Sequence, residues 1–413
     1  MRFHFIHAAD LHIDSPLASL GLKDPAVAAR FARANRDAVE ALVKETIDSR
    51  AAFLIIAGDI FDGDWRDVST GLFFARALGD LHRAGIPTLI IKGNHDADSV
   101  IARSLTYPAN AFTFASNKAE TKTFDALRVA LHGRSFGTRN PSGDFLSSYP
   151  ARREGWLNIG LLHTGLDGTR AGHESYAPCT VEDLRRFGYD YWALGHIHAA
   201  EVVSRDPWIV YPGNLQGRSV RETGAKGAMR VTVDDGRVVD VEPLHFDGAR
   251  WAHETLDVSG CLDETDVLPL VADALARLHA EAGGRPIAIR ITLEGSTRAH
   301  SRLLVHREAT EAEARALGFQ IAGDCWVERI RIATTPPPRR TAATNEPDAL
   351  DIPGLLAAAA EDPEFAAAVA EIVGTVAEKL PRHLRDKIAA DDARAVAERV
   401  ALARDYLGAD SAA

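Results

Sequence analysis

Along the first 245 or so residues, short apolar runs alternate with longer stretches in which apolar positions return every three or four residues. The apolar runs fall at 3–9, 53–57, 88–92, 128–131, 157–163, 191–194 and 208–211, and each has strand length. Helical periodicity fills 26–49 and roughly 68–84, between the first three of them. This is the β-α-β rhythm of an α/β domain. Two further runs, 229–233 and 238–241, flank Asp234-Asp235-Gly236 and predict a hairpin.

A second region begins near residue 250. Residues 251–258 predict a strand, and 267–282 a helix closed by Gly283-Gly284. Alternation of apolar with polar or basic residues at 286–293 and 325–333 predicts two half-buried strands. Thr334-Thr335-Pro336-Pro337-Pro338-Arg339-Arg340 opens a stiff polar linker that ends near Pro347. Beyond it the chain is Ala-rich. Leu355, Leu356, Phe365, Val369, Ile372, Val373, Val376 and Leu380 recur at helical spacing, and a second helix is expected over about 391–407. The expected organisation is therefore 1–248, 249–335, a linker at 336–347, and a helical segment at 348–413.

Composition narrows the class. A chain of 413 residues with 46% hydrophobic and 25% charged positions is ordinary for globular proteins and long enough for two or three cores. Its three cysteines lie far apart, which argues against a disulfide framework or a thiolate zinc site and points to a reducing, cytoplasmic setting. The opening MRFHFIHAAD reads as a strand rather than a signal peptide, because His4, His7 and Asp10 interrupt its apolar run. No stretch is apolar for the 18 residues or so that a membrane span needs. The net charge of −11 disfavours general nucleic-acid affinity. More than half of it lies from Asp348 onward, where 7 Lys and Arg face 13 Asp and Glu. A local basic groove elsewhere remains compatible with the rest, and two bound divalent cations would add about +4.

The candidate chemistry sits where the strands end. The runs are followed by Asp10-Leu11-His12, Gly58-Asp59-Ile60-Phe61-Asp62, Gly93-Asn94-His95-Asp96, His163-Thr164-Gly165 and Gly195-His196-Ile197-His198. In open α/β sheets, sites form at the carboxyl ends of strands. Hydrolysis of a phosphodiester near neutral pH needs a strong nucleophile and relief of charge on phosphorus. Two metal ions about 3.5–4 Å apart supply both. A mixed set of carboxylate, imidazole and amide oxygen suits manganese or iron better than calcium or a thiolate-bound metal.

In this order, D-x-H, G-D-x-x-D, G-N-H-D, a lone His and G-H-x-H resemble the calcineurin-like metallophosphoesterases. The opening Phe5-Ile6-His7-Ala8-Ala9-Asp10-Leu11-His12-Ile13-Asp14-Ser15-Pro16 narrows the resemblance to the SbcD/YhaO-type bacterial DNA repair exonucleases. The resemblance covers residues 1–245 well. Residues 250–335 match that family's small capping domain in position and size. It implies a calcineurin-like β-sandwich flanked by helices, an α+β cap and a helical C-terminal tail. It also implies that Asp10, His12 and His198 hold one metal, that Asn94, His163 and His196 hold the other, and that Asp59 bridges them. His95 does not coordinate in that family but stands over the substrate phosphate. The implied cofactors are two divalent ions, Mn²⁺ foremost, with Fe or Mg as alternatives. The implied partners are DNA and an SbcC/Rad-type SMC-like ATPase that docks on the tail, and family members often form homodimers. Asp62 stands where eukaryotic and archaeal relatives carry His, which leaves the balance of exonuclease and endonuclease activity open.

Other residues have plainer readings. Asp62 and Asp96 are expected to support ligand loops, Asp14 to make a turn, and Tyr211-Pro212-Gly213-Asn214 to form scaffold behind the site. His4, His7, His132 and His245 read as ordinary strand or surface histidines. Arg103, Arg134, Arg139, Arg152, Arg153 and Arg170 are candidates, as a group, for a DNA backbone groove, as are Arg329 and Arg331 on a cap strand. Three functions follow. The first is a manganese-dependent DNA exonuclease or endonuclease working with an SMC-like ATPase. The second is an enzyme acting on a smaller phosphodiester or a phosphoprotein. The third is a DNA-binding scaffold of weak activity. The cap and the tail favour the first.

Overall fold

The computed structural model describes residues 1–15, 25–62, 67–98, 106–141, 145–166, 177–337 and 362–379, with Leu355 and Ala358 between the last two. The expected second tail helix, most of the linker, Arg103 and Arg170 lie outside these residues.

In chain order the elements begin β1 (Arg2–Ala8), α1 (Pro25–Asp48), β2 (Leu54–Ala57), α2 (Val68–Arg83), β3 (Thr88–Ile91), α3 (Asn94–Asp98) and β4 (Ala111–Thr113). Then come β5 (Glu120–Phe124), β6 (Val129–Gly133), β7 (Leu157–His163), α4 (Val181–Arg186), β8 (Tyr191–Gly195), β9 (Glu201–Arg205) and β10 (Trp208–Tyr211). The hairpin strands β11 (Gly227–Asp234) and β12 (Arg237–His245) follow. They are joined at Asp235 and Gly236, both in the left-handed region that a two-residue hairpin turn requires.

Two six-stranded sheets result, in the orders β12-β11-β1-β2-β3-β4 and β5-β6-β7-β8-β10-β9. Strand alternation decides what each face touches. Phe5, Phe53, Ile55, Leu89 and Ile91 of the first sheet pack against Leu131, Ile159, Leu161, Tyr191 and Val210 of the second. The intervening residues Ile6, Ala8, Leu54, Ile56 and Ile90 turn outward onto Val39 and Leu42 of α1 and Phe74, Leu78 and Leu81 of α2. On the far side, Trp192, Leu194 and Tyr211 pack with Leu184 of α4 and with Phe136, Phe145 and Tyr149. The central strands are buried on both faces, so they read as continuous apolar runs. This is the expected sandwich flanked by helices. β4, β5 and β9 are not foreshadowed in the sequence. All three are edge strands with no buried position, so no apolar run marks them.

Within 250–335 lie β13 (Arg250–Asp257), α5 (Glu264–Glu281), β14 (Ile287–Ser296), α6 (His300–Val305), α7 (Arg307–Ile321) and β15 (Cys325–Thr335), with the strands in the order β13-β14-β15. The helices α6 and α7 go beyond the sequence reading, because α7 has few apolar residues to set a period. Among the described residues, one compact unit comprises Met1–His253, Leu278–Ile289 and Asp324–Glu328, and the other Glu254–Arg277, Arg290–Gly323 and those from Arg329 on. In the tail, α8 (Pro363–Glu378) is helical as its spacing predicts. No helix among the described residues is long and apolar enough to cross a membrane.

The two sheets approach closely beside the strand ends that carry the candidate site. A Cβ at Gly195 would lie 2.0 Å from the Ala57 carbonyl oxygen and 2.8 Å from His163 Nδ1. Gly195→Ala therefore forces backbone apart. It is expected to destabilise the protein by about 1–3 kcal/mol, read as a lower urea midpoint at an unchanged slope. A midpoint equal to that of the wild type would contradict this packing.

Candidate metal centre

Parallel pairing brings the motif-bearing strand ends to one edge. β1, β2 and β3 run parallel in one sheet, and β7 and β8 run parallel in the other. Pairing continues past the first two strands as their loops run on together. The Asp10 amide donates to the Gly58 carbonyl at 2.9 Å, His12 to Asp59 at 3.0 Å and Ile13 to Ile60 at 2.9 Å. The Thr164 amide likewise donates to the Gly195 carbonyl at 3.1 Å. These zipped loops must turn sharply to aim their side chains inward. Asp10, His12, Asp59 and His196 accordingly have φ of 51°, 42°, 53° and 100°. For residues with a Cβ this region costs on the order of 1–3 kcal/mol each and survives only where the surroundings impose it.

The result is one cluster. Ligand-type atoms of Asp10, His12 and His198 lie within 4.8 Å of one another, as do those of Asp59, His163 and His196. Asn94 joins the second group, with its Oδ1 3.1 Å from His163 Nε2. One oxygen, Asp59 Oδ2, faces both groups, at 3.8 Å from His12 Nε2 and 3.3 Å from His163 Nε2. All seven expected ligand residues thus converge. Six of them are buried, and His198 is partly exposed.

The chemistry of these donors fits a cation. Carboxylates only accept, so His12 donates from Nδ1 to Asp62 at 2.7 Å, and His198 donates from Nδ1 to Glu222 at 2.7 Å. In the neutral rings both Nε2 atoms then carry lone pairs, yet they face each other at 3.2 Å. His163 donates from Nδ1 to the Ala57 carbonyl at 2.9 Å, so its Nε2 lone pair meets two more acceptors, Asn94 Oδ1 and Asp59 Oδ2. Acceptors converging without donors need positive charge between them. The His163 ring responds the same way to protons. Burial pushes its pKa down, but the Asp59 carboxylate overrides that and raises it to about 9. Asp59 itself is pushed up by burial and drawn well below the usual carboxylate range by His163 and His12. His12, by contrast, is lowered to about 4 by burial and by the Arg218 charge, which keeps its Nε2 available.

Around the cluster, supports hold each loop. Asp96 is buried and accepts from the amides of Ile60 (2.9 Å), Phe61 (3.0 Å) and Gly93 (3.0 Å), tying the β2 loop to the β3 loop. Burial, with Asp59 nearby, pushes its carboxyl up to about 7. The His95 amide donates to Asp59 Oδ1 at 3.0 Å. A Cβ on Gly93 would sit 2.2 Å from that same oxygen, so the loop needs glycine there. Asp14 does more than turn the chain. It accepts from Arg36 Nε (2.8 Å), Arg36 Nη2 (2.6 Å) and Thr70 Oγ1 (2.5 Å), and so anchors the β1 loop to both α1 and α2. Asn214 donates to Glu222 Oε2 at 2.9 Å, and the buried Lys226 ammonium donates to the His198 carbonyl at 2.9 Å. His7 is a neutral core residue, lowered to about 3 by burial, that bonds Tyr191 and the Leu194 carbonyl.

His95 belongs to neither of these two groups, although its ring lies within 4.8 Å of ligand-type atoms of His12 and Asp62. Its side chain is 34% exposed, the most open of the cluster, and its Nδ1 lies 3.3 Å from Asp62 Oδ1. Of the arginines proposed for a groove, Arg134 is engaged by the Ser116 and Phe145 carbonyls and by Ser148, and Arg152 by the Gly188 carbonyl. Arg153 stacks on Trp156. Sequence reasoning missed Arg218, Glu222 and Lys226. Only the density of charge just past the Tyr211-Pro212-Gly213-Asn214 turn could have drawn attention to them.

The cluster's affinity for cations is measurable. At about 100 times the dissociation constant, bound Mn²⁺ contributes roughly 2.7 kcal/mol, or about 5–10 °C for a domain of this size. Mn²⁺ is expected to raise the melting temperature by that amount and EDTA to reverse it. A melting curve indifferent to both would remove the cation from the account.

Known proteins resemble this chain. Residues 3–200 match the calcineurin-like phosphoesterase family, and residues 251–335 match the middle domain of metallophosphoesterase YhaO. The chain is 33% identical over 296 residues to the metallophosphoesterase YhaO of Bacillus subtilis (strain 168), covering 71% of this chain and 72% of that protein. It is 27% identical to the DNA double-strand break repair protein Mre11 of Methanopyrus kandleri, covering 62% of this chain and 59% of that one. Solved structures with similar regions include TT1561 of Thermus thermophilus (12% identical, TM-score 0.34) and a dimetal phosphatase from Danio rerio (13%, TM-score 0.35). Each covers 59% of this chain and is itself 99% covered.

Proposed function

The chain belongs to the calcineurin-like metallophosphoesterases of the YhaO type, and from that premise we propose that it is a two-cation DNA nuclease. The observation that carries the hydrolytic part is the Asp59 carboxylate facing two sets of convergent acceptors at once. Asp10, His12 and His198 hold one divalent ion, Asn94, His163 and His196 the other, and Asp59 both. The ions supply a strong nucleophile near neutral pH and charge relief on phosphorus. Manganese fits the oxygen and imidazole donors, and no cysteine takes part in either group.

The chain's own residues do the rest. Asp62 and Glu222 fix the His12 and His198 rings from outside, and Ala57 fixes His163. His95, open to solvent beside the cluster, meets the substrate phosphate and delivers a proton to the departing sugar oxygen. Similarity to a double-strand break repair protein supports DNA as the substrate. An SMC-like ATPase of the SbcC/Rad type is the partner this reading calls for. The apolar exposed positions Phe365 and Ile372 of α8 support a docking role for the tail. A homodimer and a cytoplasmic setting belong to the same reading.

The test is direct. The full chain is incubated with Mn²⁺ and labelled duplex DNA, in parallel with a cyclic nucleotide and a generic phosphodiester, with and without the ATPase. Cleavage of DNA dependent on Mn²⁺ is the expected result. Hydrolysis of the cyclic nucleotide with DNA left intact would overturn the nuclease reading in favour of a small substrate.

A further inference from the structure

The two sides of the cluster are backed differently. The Nδ1 atoms of His12 and His198 each end on a carboxylate, Asp62 and Glu222, both at 2.7 Å. Arg218 stands between these carboxylates, with Nη1 3.6 Å from Asp62 Oδ1 and Nη2 3.2 Å from Glu222 Oε1. The other oxygen of Glu222 accepts from Asn214 Nδ2 at 2.9 Å and from the Arg218 amide at 2.7 Å. The three side chains are 13–22% exposed and carry a net charge of −1. On the opposite side, His163 ends on a neutral backbone carbonyl, and Asn94 is a neutral amide.

We propose that Asp62, Glu222 and Arg218 form an outer charged layer for the Asp10–His12–His198 position, so that this position takes its cation first and more tightly than the other. The inference rests on the two-cation reading above. A carboxylate that accepts from the far nitrogen of an imidazole fixes the ring and makes its near nitrogen a stronger donor to metal. Two anions brought so close to each other repel, and the forked guanidinium between them holds both in place. Asp10 opposite the neutral Asn94 tilts affinity the same way. Variants of the outer residues isolate the outer layer, because they leave all seven inner side chains unchanged.

Glu222→Gln keeps the shape but not the charge. Its single amide oxygen cannot serve His198 on one side and Asn214 with the Arg218 amide on the other. Asp62→Asn tests the same layer through His12. Full-length protein is titrated calorimetrically with Mn²⁺, with circular dichroism to verify folding. The wild type is expected to bind two ions in two steps. Each variant is expected to weaken the tighter step by about 10–100-fold and to leave the weaker step in place. If one variant fails to fold, the other carries the test. Two equal steps in the wild type, a shift of both steps together, or no shift in either folded variant would overturn the unequal-position inference while leaving the two-cation site standing. Uptake of fewer than two ions by the wild type would instead bring down the site itself.

Discussion

Asp59→Asn is expected to abolish Mn²⁺ retention and phosphodiester hydrolysis together. Asp59 is 2% exposed, and its Oδ2 faces both ligand groups. Replacing it by a neutral amide removes the shared anion and places either an amide oxygen or an NH₂ between two positive ions. A buried charge left without its counter-charge costs several kcal/mol, so neither position holds its ion well. Hydrolysis of a generic phosphodiester should fall by about 10³-fold or more, the scale at which loss of a single transition-state contact already acts. The fold should survive, because Asn has nearly the same volume and its oxygen can still accept from the His95 amide. Metal content by mass spectrometry and melting by circular dichroism check both halves. A folded variant that retains two equivalents of Mn²⁺ would show that Asp59 does not bridge.

His95→Ala should give the opposite pattern, with metal retained and turnover lost. The His95 ring contacts Asp62 and lies edge-on to His12, with centroids 5.0 Å apart, so removing it leaves both ligand groups whole. Loss of a positioned proton donor costs typically 10²–10⁴-fold. The fall should appear in kcat with KM little changed. His95 also lies near His12 and Asp62 in a third set of possible metal-binding atoms. A drop of one metal equivalent in His95→Ala would therefore assign it a ligand role and withdraw the proton donor. Full DNA cleavage by the folded variant would remove it from the chemistry altogether.

The long central elements and the inner side chains of the site were legible one-dimensionally, because their physical causes are local. A strand buried on both faces must be apolar along its length, so β1, β2, β3, β7 and β8 stand out as runs. Each run is followed by residues no core would choose, and those residues are the cluster. An edge strand such as β5 lacks that signature, since none of its positions is fully buried. Asp14 reads as a simple turn residue because nothing in its neighbourhood reveals Arg36, which lies 22 residues away.

Sequence alone thus determined the α/β alternation, the identity of the inner donor atoms and the family those donors resemble. Only the tertiary structure decided how closely these donors meet and how each ring is locked. Asp59 faces His163 from the loop that follows a strand of the other sheet, and Glu222 reaches His198 across 24 residues. It alone revealed that Asp10, His12, Asp59 and His196 are held at positive φ. The reason is geometric. Side-chain type and local period are written residue by residue, whereas the meeting of two sheet edges depends on every packed layer between them.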